Sequence, residues 1–452
     1  MIAGPFKVIE HTAPCQHIRE YPRAIATEQE ETLWLSVKQY VPTDNPNPKP
    51  GDITIIGAHA NGFPKELYEP LWEELLSRAK RHGFGIRGIW IADVAHQGNS
   101  GVLNENVLGN DPDIPVSGNG SFVVRSPQRS ATFHQPESSR NAPSTLWYRP
   151  QINLALLHPR LLTSLILMDP VLNGLEVTQQ HHTFHTKTTT IPTTTAASSY
   201  RRDIWPSRAA AAESVKKSKF YQAWDHRVLD RWIQYGLREL PTAIYPLPPT
   251  PASPSPSTAS PQTTENATKP VTLTTTRHQE VFTFSRPNFT PPNTKPLNRL
   301  THPDLFPGIT SAYPFYRPET ALTFARLPNL RPSVLYVFAD KSDMCLPQFC
   351  KDKLDNTGIC VGGSGGLAEG RVTSVMLHDV GHLIPMEAVG ETADHAAEWI
   401  GREMERWRRE EEEFRKVWGK MSRIEKVMID EEWKRLVKPP VRNNRRNGGV
   451  KL

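Results

Sequence analysis

Short apolar strand candidates alternate with helical segments along much of this 452-residue chain. ITIIGA at 53–58 is a β-branched run of the length that fills a buried parallel strand. An amphipathic helical pattern follows from Leu67 to Ala79, and a further strand candidate opens FGIRGIWIADVAHQGNSG at 84–101. The order of strand, helix and strand is typical of α/β proteins, so we predict a mostly parallel central sheet covered by helices.

This alternation stops between Asp113 and Pro150. No apolar run in that stretch exceeds three residues, and neither a strand period nor a helix period can be followed. The pattern resumes with INLALLHPRL at 152–161 and the strand candidate SLILM at 164–168. We therefore treat 113–150 as an aberrant segment inside an otherwise regular α/β core.

Proline, with 42 residues, has about twice its usual share, which indicates long irregular segments. Between 246 and 270 the chain consists largely of Pro, Ser and Thr, a composition that predicts a disordered insertion. The predicted organisation is a core segment at 1–172, a helical cap insertion at 173–330, a returning core segment with C-terminal helices at 331–437, and a basic tail at 438–452.

The formal charge of +6 and the pI of about 9.0 come from Lys and Arg residues interleaved with Glu, especially after Glu403. This pattern favours a solvated surface over a nucleic-acid interface. The four cysteines form no C-x-x-C pair, so we expect reduced thiols in an intracellular compartment. No apolar run has the length of a signal peptide or of a membrane span, which predicts a cytoplasmic location unless a targeting signal intervenes.

No metal or organic cofactor is expected. His181, His182 and His185 have a spacing that metal ligands can show, but they lie in a Thr-rich stretch without a neighbouring Cys or carboxylate. We interpret them as residues of a polar loop.

The strongest catalytic candidate is His382 in HDVGHLIPMEAV. It lies in a Gly-containing loop after a late strand candidate and just before a helix. An imidazole at such a position suits a general base that removes a proton from a nucleophile and returns it to the leaving group.

Two carboxylates could orient this histidine. Asp169 directly follows the strand candidate SLILM, and Asp343 follows the strand candidate SVLYVFA at 333–339. Both precede His382, as the chain order of nucleophile, acid and histidine requires. The residues alone leave the choice open.

HANGF at 59–63 follows a strand, where a backbone amide can face a developing oxyanion, and Phe63 is the candidate donor. The literal G-x-S-x-G match is GGSGG at 362–366. It has no strand before it and no apolar helix after it, and it follows both candidate acids. Ser364 therefore does not qualify as the nucleophile.

The chain resembles the fungal α/β hydrolases of secondary-metabolite and toxin biosynthesis, of the AK-toxin and mycophenolic acid types. The resemblance covers well over half of the sequence. It rests on GAHANGFPKELYEPLWEEL, IWIADVAHQGNSGVLNENVLGNDP, NLALLHPRLLTSLILMDPV, RRDIWPSRAAAAESVKKSKFYQAWDHRVLDRWIQYGLRELP, VTLTTTRHQEVFTFSRP, HDVGHLIPMEAV and RWRREEEEFRKVWGKMSRIEKVMIDEEW.

This resemblance implies an α/β-hydrolase fold with a helical cap and the hydrolysis of an acyl-CoA thioester or a carboxylic ester. It assigns the acid to Asp169 rather than Asp343, and the base to His382. It also implies a peroxisomal location and an encounter with the peroxisomal import receptor, because Val450, Lys451 and Leu452 are similar to the family's targeting tripeptides.

The chain departs from the family at the nucleophile. Between GNDP and NLALLHPRL the family has a helix, a strand and a G-H-S-x-G-like elbow, whereas this chain has the aberrant segment at about the right length. Family spacing to Asp169 places the nucleophile at Thr145, so no recognisable elbow serine is present. The alternatives are an enzyme whose true product carries an elbow serine lost through a shifted reading frame, a non-catalytic ligand-binding protein, and a defective product.

Overall fold

The computed structural model describes residues 2–15, 21–112, 121–125, 151–174, 193–246, 269–287, 315–316 and 319–437. The chain divides into two compact units, Met1–Glu403 and Met404–Leu452. The first unit contains the central sheet and every candidate site residue that the structure describes.

The central sheet of the first unit has nine strands in the described part of the chain, in the order β1-β2-β3-β5-β4-β6-β7-β13-β14. Small additional strands form a three-stranded sheet, β8-β10-β9, and a two-stranded pair, β11-β12. The strands are β1 (Ile2–Ala3), β2 (Phe6–Pro14), β3 (Trp34–Pro42), β4 (Ile53–Ala58), β5 (Ile86–Ala92), β6 (Ser121–Arg125), β7 (Ser164–Met168), β8 (Ile204–Trp205), β9 (Leu237–Glu239), β10 (Val271–Leu273), β11 (Arg286–Pro287), β12 (Phe315–Tyr316), β13 (Ser333–Ala339) and β14 (Val372–Leu377).

The predicted strands at ITIIGA, SLILM and SVLYVFA are confirmed as β4, β7 and β13. All residues of β7 and β13 are buried, which explains their continuous apolar runs. β4 pairs parallel with β5, and β13 pairs parallel with both β7 and β14. Strands β2, β4, β5, β7, β13 and β14 thus run in one direction, in agreement with the predicted mostly parallel sheet.

β6 lies inside the segment for which the sequence predicted no regular element. Its residues Phe122, Val123 and Val124 are buried between β4 and β7. The three apolar residues are too few to give a periodic signal, yet pairing on both sides stabilises them as a central strand. β6 runs antiparallel to both neighbours.

Helices cover the sheet. The amphipathic pattern after β4 forms a 3-10 turn, Lys65–Tyr68, and then α1, whose Leu71, Trp72 and Leu75 are fully buried. The helices are α1 (Glu69–Ala79), α2 (Gly98–Leu103), α3 (Gln151–Leu157), α4 (Thr193–Tyr200), α5 (Arg208–Lys216), α6 (Lys219–Gln222), α7 (His226–Tyr235), α8 (Arg277–Phe284), α9 (Glu319–Phe324), α10 (Pro347–Asn356), α11 (Ile384–Glu387), α12 (Val389–Trp418), α13 (Arg423–Val427) and α14 (Glu431–Val437).

The segment between β7 and β13 contains helices α4 to α9 and the sheet β8-β10-β9. The sequence predicted a helical insertion at 173–330 but not this sheet, because strands of two or three residues carry no readable period. Most of the predicted disordered stretch, 247–268, lies outside the described residues.

The second unit contains the C-terminal part of α12, together with α13 and α14. Ion pairs at i,i+4 spacing, such as Arg406–Glu410 and Arg415–Glu411, run along α12. Among the helices that the structure describes, none combines the length and apolar character needed to cross a bilayer. The tail at 438–452, with Val450, Lys451 and Leu452, lies outside the described residues.

Candidate functional site

The candidate site lies at the edge of the sheet where β4, β7, β13 and β14 have their carboxyl ends. Asp169 directly follows β7 and is only 1% exposed. Its backbone has a φ of 40°, in the left-handed region that costs energy for most side chains. The Asp169 amide donates a 2.7 Å hydrogen bond to the Val337 carbonyl of β13, which holds this backbone in place. Strain of this kind is concentrated at functional sites.

His382 lies in the loop after β14, with its Nδ1 atom 2.5 Å from Asp169 Oδ2. An ionised carboxylate can only accept, so Nδ1 carries the proton and Nε2 carries the lone pair that a general base needs. Glu387 at the end of α11 fixes the loop, because its carboxylate accepts from the amides of Gly381 at 2.6 Å and Leu383 at 3.3 Å. The structure thus brings together the two residues that the family resemblance selected as acid and base.

The alternative acid, Asp343, is exposed to solvent. It follows β13 at the same edge of the sheet as Asp169, so strand order alone could not separate the two. Of the two carboxylates, the structure places Asp169 in contact with His382 Nδ1.

Residues Ala60 to Phe63 form a tight turn after β4. The Phe63 amide donates a 3.2 Å hydrogen bond to the Ala60 carbonyl, and Gly62 has a φ of 84°, as the third residue of such a turn requires. A Cβ atom on Gly62 would lie 2.8 Å from the side chain of Glu280, so the turn needs glycine for space as well as for conformation. To bind an oxyanion, the Phe63 amide would have to give up its hydrogen bond to the Ala60 carbonyl. The oxyanion role of Phe63 stays a prediction.

Gln97 clamps this turn to the loop after β5. Its Oε1 atom accepts from the Gly62 amide at 2.7 Å, and its Nε2 atom donates to Asn61 Oδ1 at 2.5 Å. Glu280 packs behind Gly62 as a nearly fully buried carboxylate. Burial raises the pKa of Glu280, while the Arg201 guanidinium and a hydrogen bond from Ser198 partly offset that effect.

Aromatic side chains stand over the turn. The Phe63 ring meets the Trp224 ring edge to face, with centroids 5.2 Å apart, and Tyr221 meets Trp224 at 4.9 Å. The amide of Asp225 donates to the Met386 carbonyl at 2.8 Å, which ties this wall to the helix after His382. The insertion between β7 and β13 therefore supplies an apolar wall beside the candidate oxyanion turn.

The described residues contain no elbow nucleophile at this edge. Ser121, the first residue of β6, pairs with Leu167 and Ala58, so β6 ends at Arg125 on the edge opposite Asp169. The carboxyl end of β6 is therefore not at the edge of the sheet that carries Asp169 and His382. Thr145 lies outside the described residues.

Ser364 also lies far from the acid and base along the strand direction. Its amide donates a 3.0 Å hydrogen bond to the carbonyl of Leu330, just before the amino end of β13. Because β13 is parallel to β7 and β14, this end is opposite to the edge with Asp169 and His382. The GGSGG match is therefore a structural loop.

Within the described ranges, no group of three or more His, Cys, Asp or Glu side chains could hold a metal ion. His181, His182 and His185 fall outside those ranges. The four cysteines, Cys15, Cys345, Cys350 and Cys360, are free thiols.

Sequence reasoning missed Ser342, whose hydroxyl donates to Asp169 Oδ2. Its position in the sequence pointed to the site, because Ser342 lies three residues after the last residue of β13, at the same edge of the sheet as Asp169. A serine in a polar turn is too common to be singled out without the structure.

The buried Asp169–His382 pair, the Gly62 turn and the strand order define an α/β hydrolase. In agreement with this class, the peroxisomal α/β-hydrolase Lpx1 from Saccharomyces cerevisiae has a similar structure, with a TM-score of 0.55, 11% identity and 96% coverage of each chain. This similarity shows the fold.

The sequence belongs to the family of the type I acyl-CoA thioesterase mpaH. The Penicillium roqueforti protein of that name is 36% identical over 458 residues, covering 100% of this chain and 99% of the relative. Type I acyl-CoA thioesterase mpaH' of Penicillium brevicompactum is also 36% identical, with 100% coverage of both chains. The abhydrolase domain-containing protein AFT2-1 of Alternaria alternata is 25% identical over 234 residues, 52% of this chain and 76% of the relative. A scan against protein-family models finds no match. The family expected from the sequence motifs is confirmed.

Proposed function

We propose that this protein hydrolyses an acyl-CoA thioester, or a related carboxylic ester, in fungal secondary metabolism. The observation that supports this most is the 2.5 Å contact between His382 Nδ1 and the buried Asp169 carboxylate, beside the Gly62 turn. Family membership adds the substrate class, since the relatives that align over the whole chain are named acyl-CoA thioesterases.

In the proposed mechanism His382 Nε2 removes the proton from a nucleophilic hydroxyl, which attacks the thioester carbonyl carbon. The oxyanion is stabilised by the Phe63 amide once that amide leaves its turn bond to Ala60. The coenzyme A thiolate then leaves and takes the proton from the imidazolium. Water, deprotonated by His382, cleaves the acyl-enzyme to release the carboxylic acid and restore the hydroxyl. Asp169 stabilises the imidazolium throughout.

We assign the nucleophile to residues 126–150, and by family spacing to the neighbourhood of Thr145. In the sequence this stretch lies between β6 and α3, and α3 precedes β7 and Asp169. A fluorophosphonate probe, which bonds covalently to hydroxyls activated by a neighbouring base, tests this assignment. Peptide mapping by mass spectrometry should find the label within 126–150 in the wild type and no label in His382→Ala. Label on Ser364, or an unlabelled wild type, would contradict it.

A second candidate function is acyl-CoA binding without hydrolysis. The antiparallel direction of β6 favours this candidate, because the carboxyl end of this central strand lies at the sheet edge opposite Asp169 and His382. Sequencing the transcript across codons 108 to 155 separates the two candidates. A message encoding a G-x-S-x-G elbow supports the hydrolase, whereas a message matching this chain favours binding alone.

We also propose that the protein reaches the peroxisome through its C-terminal tripeptide. Val450, Lys451 and Leu452 keep the basic and leucine positions of the S-K-L signal, and the import receptor would be the partner that recognises them.

A further inference from the structure

The Ser342 hydroxyl lies beside the contact between Asp169 and His382. It donates a hydrogen bond to Asp169 Oδ2, the same oxygen that accepts from His382 Nδ1. Ser342 Oγ is also 3.3 Å from His382 Nδ1. The residue is 7% exposed, so water does not readily replace it. Two donors therefore converge on one carboxylate oxygen inside the protein.

The direction of the Ser342 hydrogen bond is fixed by its own surroundings. The Met344 amide donates to Ser342 Oγ at 3.1 Å, and the Ser342 amide donates to the Ala339 carbonyl at 3.2 Å. With an amide proton already directed at its oxygen, the hydroxyl turns its proton toward the carboxylate, which can only accept. The turn after β13 thus presents a donor of fixed position to Asp169.

Such a donor matters because a carboxylate rotates easily. The terminal torsion of Asp has a broad energy minimum, so one hydrogen bond leaves Oδ2 free to move on an arc. A second donor from a different element removes that freedom. The result is a carboxylate oxygen held against His382 Nδ1, the position that keeps the proton on Nδ1 and the lone pair on Nε2.

We propose that Ser342 is a positioning residue, which fixes the Asp169 carboxylate against His382. This role rests on the proposed hydrolase function, but the contact between Asp169 and His382 can be measured without turnover. Ser342 itself touches neither the nucleophile nor the thioester in this proposal, and it acts through Asp169.

The test is proton NMR of the full-length protein labelled with ¹⁵N-histidine. The His382 Nδ1–H signal is assigned by its absence in His382→Gln, and its exchange rate with water is measured. In Ser342→Ala the exchange of the Nδ1–H proton should become about tenfold faster. The Asp169 carboxylate then loses the charge-assisted hydrogen bond from Ser342 and holds His382 Nδ1 less firmly. Ser342→Thr, which keeps the hydroxyl, should restore the slow rate. Ser364→Ala, in the loop at the opposite edge of the sheet, should match the wild type.

An unchanged exchange rate in Ser342→Ala would overturn the proposal, as would equally fast exchange in Ser342→Thr and Ser342→Ala when both retain the wild-type circular dichroism spectrum. If Ser342→Ala does not fold, Ser342→Cys provides the comparison, since a thiol is a weak donor of similar shape. Its exchange rate should lie above that of the wild type, and a rate equal to the wild type would count against the proposal. None of these measurements depends on thioester cleavage. The Ser342 proposal can therefore succeed or fail independently of the proposed hydrolase function.

Discussion

Replacing Asp169 with asparagine is expected to lower thioester hydrolysis by about 10⁴-fold, while the protein stays folded. The Asn amide can present a donor to His382 Nδ1, which then becomes the acceptor. The lone pair moves away from Nε2, and the base is lost. Asparagine also tolerates the left-handed backbone at this position, where φ is 40°, so the substitution should not disturb the turn after β7. The measurement is kcat/KM from the release of free coenzyme A thiol.

Asp343→Asn provides the matched control. Asp343 follows the neighbouring strand at the same edge but is exposed, so its replacement should leave kcat/KM within about twofold of the wild type, the range of surface substitutions. A large loss in Asp343→Asn with full activity in Asp169→Asn would reverse the assignment of the acid.

Replacing Lys65 with alanine should lower the free energy of unfolding by about 3–5 kcal/mol at pH 7. Lys65 begins the 3-10 turn after HANGFP and is completely buried, with Nζ 2.7 Å from Asp93 Oδ2 and 3.1 Å from Glu66 Oε1. Both carboxylates are also fully buried. Removing the ammonium leaves two carboxylates in a dry environment, although Lys38 still contacts Glu66 at 3.1 Å. Urea unfolding measures the loss.

The loss of unfolding free energy in Lys65→Ala is expected to become smaller as the pH falls. Burial opposes ionisation of Asp93, but the attraction and hydrogen bonds of Lys65, together with the attraction of His59, outweigh burial and lower the pKa of Asp93. This pair therefore stabilises the wild type above the ordinary pKa of Asp, about 3.9, and the contribution disappears as pH falls through the depressed pKa. In Lys65→Ala, burial without the cation raises the pKa of Asp93. The difference in stability between the two proteins should narrow as pH falls toward about 4.

Lys80→Ala is the control for the loss of a lysine charge. The Lys80 side chain is 79% exposed and pairs with Asp44 at 2.7 Å on the surface. Its removal should cost under about 1 kcal/mol at every pH, because solvent screens such a pair. Equal losses in Lys65→Ala and Lys80→Ala would show that the buried charges contribute no more than surface ones.

The strands that place Asp169 and His382 could be predicted from the sequence, because each strand is marked by a short apolar run within its own residues. β7 and β13 are apolar runs of the length of a buried strand, and Asp169 and His382 follow strands that the pattern identified. Parallel strands share one carboxyl edge, so their proximity could be expected. The choice between Asp169 and Asp343 came from the family resemblance and not from the pattern, since both residues follow buried strands.

Other features depend on contacts between distant segments, which local patterns do not encode. β6 is a central strand because it pairs with β4 on one side and β7 on the other, antiparallel to both. The hydrogen bond from Ser342 to Asp169 joins residues 173 positions apart. Gln97 lies in the loop after β5, and the structure places its side-chain oxygen on the amide of Gly62, 35 residues earlier in the chain.

We propose that Asp169 and His382 form the working acid and base of a thioester hydrolase. The most direct measurement is coenzyme A release from a panel of acyl-CoA thioesters, followed with a thiol reagent, for the wild type and for His382→Ala. We predict release from at least one thioester by the wild type, with kcat/KM lower by about 10³-fold in His382→Ala. Equal release by the two proteins, or no release above spontaneous hydrolysis from any thioester by the wild type, would contradict the claim.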